Sequence, residues 1–459
     1  MYSDMRSLLG GKKVLVMGLG AHGGGAAAAR FCVEEGAIVT VTDLRTEEEL
    51  APSLEALAGY DIRYVLGTHR EEDFLEADVV IKNPAVPRTS RFLSLARHVE
   101  TDISLFLKAC RSPILAVTGS KGKSTTASAL HHILSAAFPG ARLGGNITTS
   151  PLTFLRELSE ETPVVLELSS WQLGDLGGRI SFTPQVAALT NIYPDHQNAY
   201  ASMEAYVEDK FWITATQDPS QTFLYPAFDP WGRWMAANTP ATALPFFEER
   251  PTSPPPRAAF LTEQEGLFLD HGKEIPLLPE RLLVPGAHNR LNLLLAGAMA
   301  YTFGTDPALI RTRLSSFPGI PHRLELVREK GGVAFYNDSA ATIPDAVLAA
   351  VSAFECPVHL ITGGTDKNLD LSPYRGLADK PVTVYLLEGS ATRRLLPLLE
   401  ESGISYLGPY RSLEEALAEA HHRASSGEVV LFSPGAASFE MFRHEFHRGE
   451  VFRDLVRRL

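Results

Sequence analysis

Residues Ile114–Val117 form a short apolar, β-rich run, and Thr118-Gly119-Ser120-Lys121-Gly122-Lys123-Ser124-Thr125-Thr126 follows it directly, ahead of a helical stretch from about Ala127 to Ala137. A strand that ends in a Gly- and Lys-rich loop and passes straight into a helix confines the chain to α/β folds. In such folds the loop wraps an anion at the helix start. The glycines free the backbone N–H groups for that task. Lys123 can reach β- and γ-phosphates, and the Ser124 or Thr125 hydroxyl can ligate Mg²⁺. Val117 stands where the GxxxxGK[ST] pattern has its first glycine, so this loop is a shorter relative. The plainer reading, a Gly-Lys surface turn, leaves the flanking strand and helix unexplained.

A second strand–turn–helix lies at the start of the chain. Lys13–Met17 reads as a buried parallel strand, and Gly18-Leu19-Gly20-Ala21-His22-Gly23 gives GxGxxG. An Ala-rich helix follows to about Glu35, Gly36 stops it, and Ala37–Thr42 is a second strand ending at Asp43. A carboxylate about 20 residues beyond such glycines suits a nucleotide hydroxyl, with the diphosphate at the helix start. By fold analogy an NAD-type dinucleotide is the default ligand for this turn, and a tight turn with no ligand is the plain alternative. Val79–Lys82 adds a strand ahead of Asn83-Pro84-Ala85-Val86-Pro87, so the first ~100 residues read as one nucleotide-binding domain. Two nucleotide-type sites in one chain argue against a simple dehydrogenase.

Further carboxylates and imidazoles fall at strand ends. Pro163–Leu168 reads as a buried strand that carries Glu167 and runs into Ser169-Ser170-Trp171-Gln172. A carboxylate there, beside a phosphate loop, is a metal candidate. Val186–Thr190 leads to Asn191-Ile192-Tyr193-Pro194-Asp195-His196, where Asp and His can be a metal contact or a cap and a structural histidine. Ser202–Thr214 reads as a helix with Tyr206, Val207 and Phe211 on one face and Lys210 near it. Residues 216–257 read as irregular and end in a Pro-rich stretch, which marks a surface insertion or linker. Gly286-Ala287-His288-Asn289-Arg290-Leu291-Asn292 opens an apolar helix to about Tyr301, and helix capping accounts for its polar first turn. After Phe317–Pro321 a further α/β unit begins, with strands at 333–336, 358–362, 382–387 and 429–432.

The chain has 459 residues, and its formal net charge is −12 from 42 Lys+Arg against 54 Asp+Glu. An acidic chain with no basic tract is a poor nucleic-acid binder. Cys32, Cys110 and Cys356 are far apart and form no CxxC pair. A disulfide framework or zinc site is therefore not expected, and a reducing cytoplasmic setting is. No apolar run reaches the length of a membrane span.

Taken in order, these motifs resemble the Mur ligases, ATP-dependent amide-forming enzymes of peptidoglycan precursor synthesis. The marks are Thr118–Thr126, Glu167–Gln172, Asn191–His196, Gly286–Asn289 with Asn292, Pro321-His322-Arg323, Asn337-Asp338-Ser339 and Ser433–Phe439. Gly18–Asp43 and Ser433–Gly449 look most like the member that adds D-glutamate. The resemblance implies an α/β protein of three domains. These are a Rossmann-like, UDP-substrate-binding N-terminal domain (1–101), a P-loop ATP/Mg-binding central domain (102–318) and a Rossmann-like, amino-acid-binding C-terminal domain (319–459). The implied substrates are UDP-N-acetylmuramoyl-L-alanine, D-glutamate and ATP with Mg²⁺, handled by a monomer in the cytoplasm without membrane or nucleic acid.

Roles then fall on matching positions. Gly18, Gly20, His22, Asp43, Arg45, Asn83, Asn146 and Gln172 would contact the UDP substrate. Gly119, Ser120, Lys121, Gly122, Lys123, Ser124, Thr125, Asn289, Asn292, Arg323 and Asp338 would bind ATP. Ser124, Thr125, Glu167, His196 and Lys210 would serve the metal, with Lys210 resembling the family's carbamylated lysine. Lys123, His196 and Lys210 would be catalytic, and Thr342, Lys367, Ser438 and Phe439 would bind the amino acid. Many members carry a lysine shortly after Asp338-Ser339, where this chain reads Ala340-Ala341-Thr342-Ile343-Pro344. Either Lys367 meets the amino-acid carboxylate alone, or the amino acid is placed differently. Rival readings are a sibling or folylpolyglutamate-type ligase, a nicotinamide-dependent oxidoreductase and a non-catalytic P-loop protein. The oxidoreductase leaves the phosphate loop and Glu167 without a task.

Overall fold

The computed structural model describes residues 5–20, 24–147, 149–194, 200–438 and 440–459. His22, His196 and Phe439, three of the expected site residues, lie outside the described residues. The chain divides into two compact units, Met1–Glu280 with Leu291–Leu314, and Arg281–Arg290 with Ser315–Leu459. No helix among the described residues is long and apolar enough to cross a membrane.

The first unit holds two sheets. One consists of β1 (Lys13–Met17), β2 (Ile38–Asp43), β3 (Ile62–Leu66), β4 (Val79–Lys82) and β5 (Val99–Glu100) in the order β3-β2-β1-β4-β5, all parallel. The order reverses at β1, so the loops after β1 and β4 flank the crevice where ligands bind in such sheets. Four of the five β1 residues are buried, as a strand covered on both faces requires. The Ala-rich helix Gly24–Glu34 covers one face with Ala26, Ala28, Ala29, Phe31 and Cys32.

The second sheet has β6 (Ile114–Thr118), β7 (Arg142–Gly145), β8 (Val164–Glu167), β9 (Val186–Leu189), β10 (Thr222–Pro226), β11 (Thr242–Phe247), β12 (Arg257–Leu261), β13 (Gly266–Asp270) and β14 (Lys273–Leu278). Its order is β14-β13-β12-β11-β10-β9-β6-β8-β7, parallel except for the closing β12–β13–β14 meander. The 216–257 stretch is therefore not an insertion or linker, contrary to the sequence expectation. It supplies β10, β11 and the helix Pro230–Asn238, joined by short turns, and residues 248–256 are its longest connection without regular structure. The difference has a physical cause. Prolines 226, 230 and 245 sit at a strand end, a helix first turn and inside a strand, where local rules read them as breakers. Burial of Phe223, Leu224 and Phe246 overrides that local signal.

The second unit contains β15 (Glu325–Lys330), β16 (Val333–Asn337), β17 (Val358–Thr362), β18 (Val382–Leu387), β19 (Tyr406–Tyr410) and β20 (Val429–Phe432), ordered β15-β16-β20-β17-β18-β19. Only β15 is antiparallel. Separate apolar cores pack on its two faces, one around Val347, Leu360 and Leu395, the other around Phe335, Phe432 and Phe452. The edge strands β15 and β19 are half-exposed, which is why their sequences lack the apolar runs that mark β16–β18 and β20.

Candidate functional site

The phosphate loop connects β6 to the helix Lys123–Ala137. The helix begins at Lys123, four residues before the expected Ala127, so Lys123, Ser124 and Thr125 form its first turn. Gly122 is the residue before it, at φ +82°, and offers no side-chain cap. An L side chain there would be strained and would meet Asn292 Oδ1 at 2.3 Å. The helix start thus carries no side-chain cap, an arrangement that suits an anion, with Asn292 against the loop.

Neighbouring strands hold the loop in shape. Lys123 Nζ donates to the carbonyls of Gly119 (2.9 Å) and Ser120 (3.0 Å). Asn191 Oδ1 accepts from Lys121 N at 2.9 Å, and Thr190 Oγ1 donates to Lys121 O at 2.6 Å. Ser120 Oγ accepts from Tyr193 N at 2.9 Å. Asp229, from the stretch expected to be a linker, accepts from Ile192 N at 2.6 Å while capping its own helix. Sequence reasoning missed it, although Asp followed by Pro ahead of a helix is a start signal.

Glu167 lies beside this loop because β8 pairs with β6 in the register Val117↔Glu167. The residue is buried, and one carboxylate oxygen accepts from Asn146 Nδ2 at 3.0 Å. Its other oxygen, Oε2, is buried with no hydrogen-bond partner. A buried carboxylate oxygen left bare is costly unless a cation or donor arrives. Glu167 thus fits a divalent cation at the phosphate loop, as expected. Among the described residues no three His, Cys, Asp or Glu side chains gather for a metal. A cation there would need hydroxyl, phosphate or water oxygens to complete its shell.

Lys210 arrives from the helix Met203–Phe211 and is buried to 1% exposure. Its Nζ donates to Gly119 O at 2.8 Å and lies 4.6 Å from the Tyr206 ring centre. The Tyr206 hydroxyl is 3.0 Å from Ser120 Oγ. The structure therefore brings Lys123, Lys210, Glu167, Asn146 and Asn292 to one loop. Their separation along the chain hides this, and Lys210 carries no local signal at all. Gln172 sits on the helix after β8, buried, where its Oε1 accepts from Ser169 N at 3.0 Å and closes a capping box.

At the first sheet, Asp43 turns toward the glycine turn. Its Oδ2 accepts from Leu19 N (2.8 Å) and Gly20 N (3.2 Å), and its Oδ1 accepts from Arg45 N (2.9 Å). Asn83, after β4, lies on the other side of the turn, where a Cβ on Gly18 would come within 2.9 Å of its own Cβ. Gly18, Gly20, Asp43 and Asn83 thus share one rim. Sequence pattern alone does not link Asn83 to the glycines.

In the second unit, loops after β16, β17 and β20 meet. Gly435 N donates to Ala341 O at 3.0 Å, and Thr365 pairs with Ala437. Thr342, Lys367 and Ser438 therefore come from adjoining loops, with Lys367 exposed and Ser438 buried. Asp338 is buried, accepting from Ser433 Oγ at 2.7 Å and Leu324 N at 3.2 Å. Burial outweighs these bonds and pushes its carboxyl up to about 7. Arg323 is exposed between His322 and Leu324, both at positive φ (67° and 43°). Asn289 is buried, with Nδ2 donating to Pro285 O at 2.6 Å. Arg448, which sequence reasoning passed over, is 1% exposed and braces Ser339 O and Ala436 O at 2.8 Å each. Its guanidinium is pulled down to about 10 by burial.

Known proteins share both the motifs and the fold. Residues 117–300 match the Mur ligase middle domain, and residues 12–104 match the Mur ligase MurD-like N-terminal domain. A UDP-N-acetylmuramoylalanine--D-glutamate ligase of Treponema pallidum is 42% identical, covering 98% of both chains. The enzyme of that name from a Roseiflexus species is 43% identical over 98% of this chain and 99% of its own. The solved structure of the UDP-N-acetylmuramate-alanine ligase MurC from Thermotoga maritima shares the fold. It aligns with a TM-score of 0.58 at 20% identity, covering 97% of this chain and 99% of that one.

Proposed function

This chain belongs to the Mur ligase family, and on that premise we propose that it is an ATP-dependent ligase joining D-glutamate to UDP-N-acetylmuramoyl-L-alanine in peptidoglycan precursor synthesis. The observation that carries the chemistry is the bare Glu167 oxygen one strand away from an uncapped phosphate loop. Such a pairing suits phosphoryl transfer and has no use in hydride transfer.

Amide formation from a carboxylate needs a better leaving group than oxide. Transfer of the ATP γ-phosphoryl group to the alanine carboxylate makes an acyl phosphate and releases ADP. The glutamate amine then attacks the acyl carbon, and phosphate departs from the tetrahedral intermediate. In this reading the N–H groups of the first turn of Lys123–Ala137 receive the phosphates. Lys123 leaves its carbonyl partners to offset negative charge on the transferring group. Glu167, with Ser124 or Thr125, would hold Mg²⁺, and His196 and a carbamylated Lys210 would serve a second cation. When bound, Mg²⁺ neutralises charge that builds on the γ-phosphoryl oxygens. Carbamylation would turn the Lys210 ammonium into a carboxylate-like anion, which would let this side chain ligate a cation. The rim of Gly18, Gly20, Asp43 and Asn83, with Arg45, receives the UDP moiety. Asn289 and Asn292 serve the adenine, Asp338 the ribose and Arg323 the γ-phosphate, while Thr342, Lys367, Ser438 and Phe439 hold glutamate. Three unpaired thiols fit a reducing cytoplasm.

Phosphate release from ATP and Mg²⁺ tests this directly. Release that requires both UDP-N-acetylmuramoyl-L-alanine and D-glutamate is the expected result. A preference for L-glutamate or another amino acid would reassign the substrate and keep the ligase class. Release that ignores both co-substrates would remove the ligase reading.

A further inference from the structure

The loop after β4 is a rigid arm. Asn83 Oδ1 accepts from Ala85 N at 3.0 Å, Asn83 O accepts from Val86 N at 2.9 Å, and Pro84 and Pro87 fix two backbone angles. Asn83 at its start touches the glycine turn, and Arg88 stands at its end. Both ends are tied to the helix Ser170–Leu176, in different ways. Lys82, just before Asn83, pairs with Asp175 at 2.6 Å, and the two side chains are 3% and 2% exposed. Arg88 spans two groups with its fork: Nη1 donates to Gly174 O at 2.9 Å, and Nη2 donates to Asp209 Oδ2. Here the exposures are 43% and 11%.

Asp209 precedes Lys210 on the helix Met203–Phe211. Its carboxylate lies over Gly174, where an added Cβ would fall 2.4 Å from it. Tyr200 also donates to Asp209 Oδ2 at 2.8 Å, and its ring stands edge-on to Tyr206, 5.2 Å between centres. Tyr206 then reaches Ser120 of the phosphate loop. A continuous set of contacts thus runs from the glycine-turn rim through Arg88 and Asp209 to the phosphate loop. The buried Lys82–Asp175 pair is a fixed anchor. The Arg88–Asp209 tie is the more exposed of the two.

We propose that Arg88 is a positioning residue that couples the UDP-substrate rim to the ATP site, by holding Asp209 and with it the helix that carries Tyr206 and Lys210. The inference rests on the assignment of those two sites under Proposed function. Substrate that settles Asn83 against the glycine turn fixes the arm, and the arm orders the helix over the phosphate loop. By reciprocity, ATP would tighten binding of the UDP substrate by the same factor.

The test uses the full chain and a non-hydrolysable ATP analogue, with and without UDP-N-acetylmuramoyl-L-alanine. In the wild type the UDP substrate should tighten the analogue by roughly 5-fold or more. Arg88→Met and Asp209→Asn should each abolish that tightening while changing the two separate Kd values little. The double variant should be no worse than either single one, and Arg88→Lys should restore part of the effect, since it keeps the charge but not the fork. Melting temperatures identify any variant that fails to fold, and Asp209→Asn, nearly isosteric, then carries the result. Tightening that persists in both variants, or that the wild type lacks, overturns the proposal. A wild type that binds no UDP substrate would overturn the site assignment instead.

Discussion

At the scale of single residues, burial decides which groups are chemically unusual. Asp338 is the clearest case, with its carboxyl raised from 3.8 to about 7 by desolvation. The folded chain keeps this proton to near pH 7, whereas the unfolded chain releases it near pH 4. The associated stability is complete below about pH 4 and is lost as pH rises through 7. Such a rise is worth roughly 4 kcal/mol at 1.36 kcal/mol per pH unit. Asp338→Asn cannot ionise; its Oδ1 can still accept from Leu324 N, and its Nδ2 would donate to Ser433 Oγ, whose hydroxyl can turn to accept. Its melting temperature relative to wild type should therefore climb between about pH 4 and 7 and level off above. A difference that stays flat or falls across this range would show that Asp338 is ionised throughout. Sequence patterning identifies Asp338 only as a strand-end acid. Its altered acidity needs the packing of β16 and β20 around it.

Elements meet where side chains permit close approach, and the contact of Ser170–Leu176 with Met203–Phe211 turns on Gly174. Replacing a helical glycine by alanine ordinarily gains up to about 1 kcal/mol. Here the new methyl would enter the space of the Asp209 carboxylate, which Arg88 and Tyr200 hold in place. Overpacking of this kind costs about 1–3 kcal/mol. The cost of overpacking exceeds the gain in helix propensity, so Gly174→Ala should lower the melting temperature. In an Asp209→Ala background the same substitution should be neutral or stabilising, because the space is then open. Equal losses in both backgrounds would mean that the glycine serves something other than Asp209. Helix patterning reads Gly174 merely as a weak helix residue. Only the partner helix gives it a reason. The prolines of β10 and β11 are alike in this, since locally they spell a linker and only the neighbouring strands make them part of a sheet.

On the scale of the molecule, the two sheets of the first unit are joined through a few buried polar contacts as well as a shared apolar core. Lys82 at the end of β4 and Asp175 on the helix after β8 form one of them. Burial opposes both charges, lowering the Lys82 ammonium and raising the Asp175 carboxyl, so each depends on the other. Removing one partner from such a pair typically costs about 3–5 kcal/mol, while replacing both by apolar groups costs far less. Lys82→Ala should accordingly depress the melting temperature of the first unit strongly, and Lys82→Met with Asp175→Leu should recover most of it. If the double variant melts as low as the single one, the pair contributes through specific geometry and not through charge compensation.

The α/β class, the two phosphate-type turns, the inner strands of the first and third sheets, the β6, β8 and β9 core of the central sheet, and the family are legible in the chain before it folds. These features are local: an apolar run, a glycine spacing and a helix start are each complete within a dozen residues. Folding was needed to show that 216–257 extends the central sheet, that Glu167 keeps one bare oxygen, that Lys210 and Tyr206 converge on the phosphate loop, and that Arg88 ties to the helix that carries them. Each of these depends on which residues, distant in the chain, exclude water from one another. Burial sets that exclusion, and no local pattern in the chain encodes it.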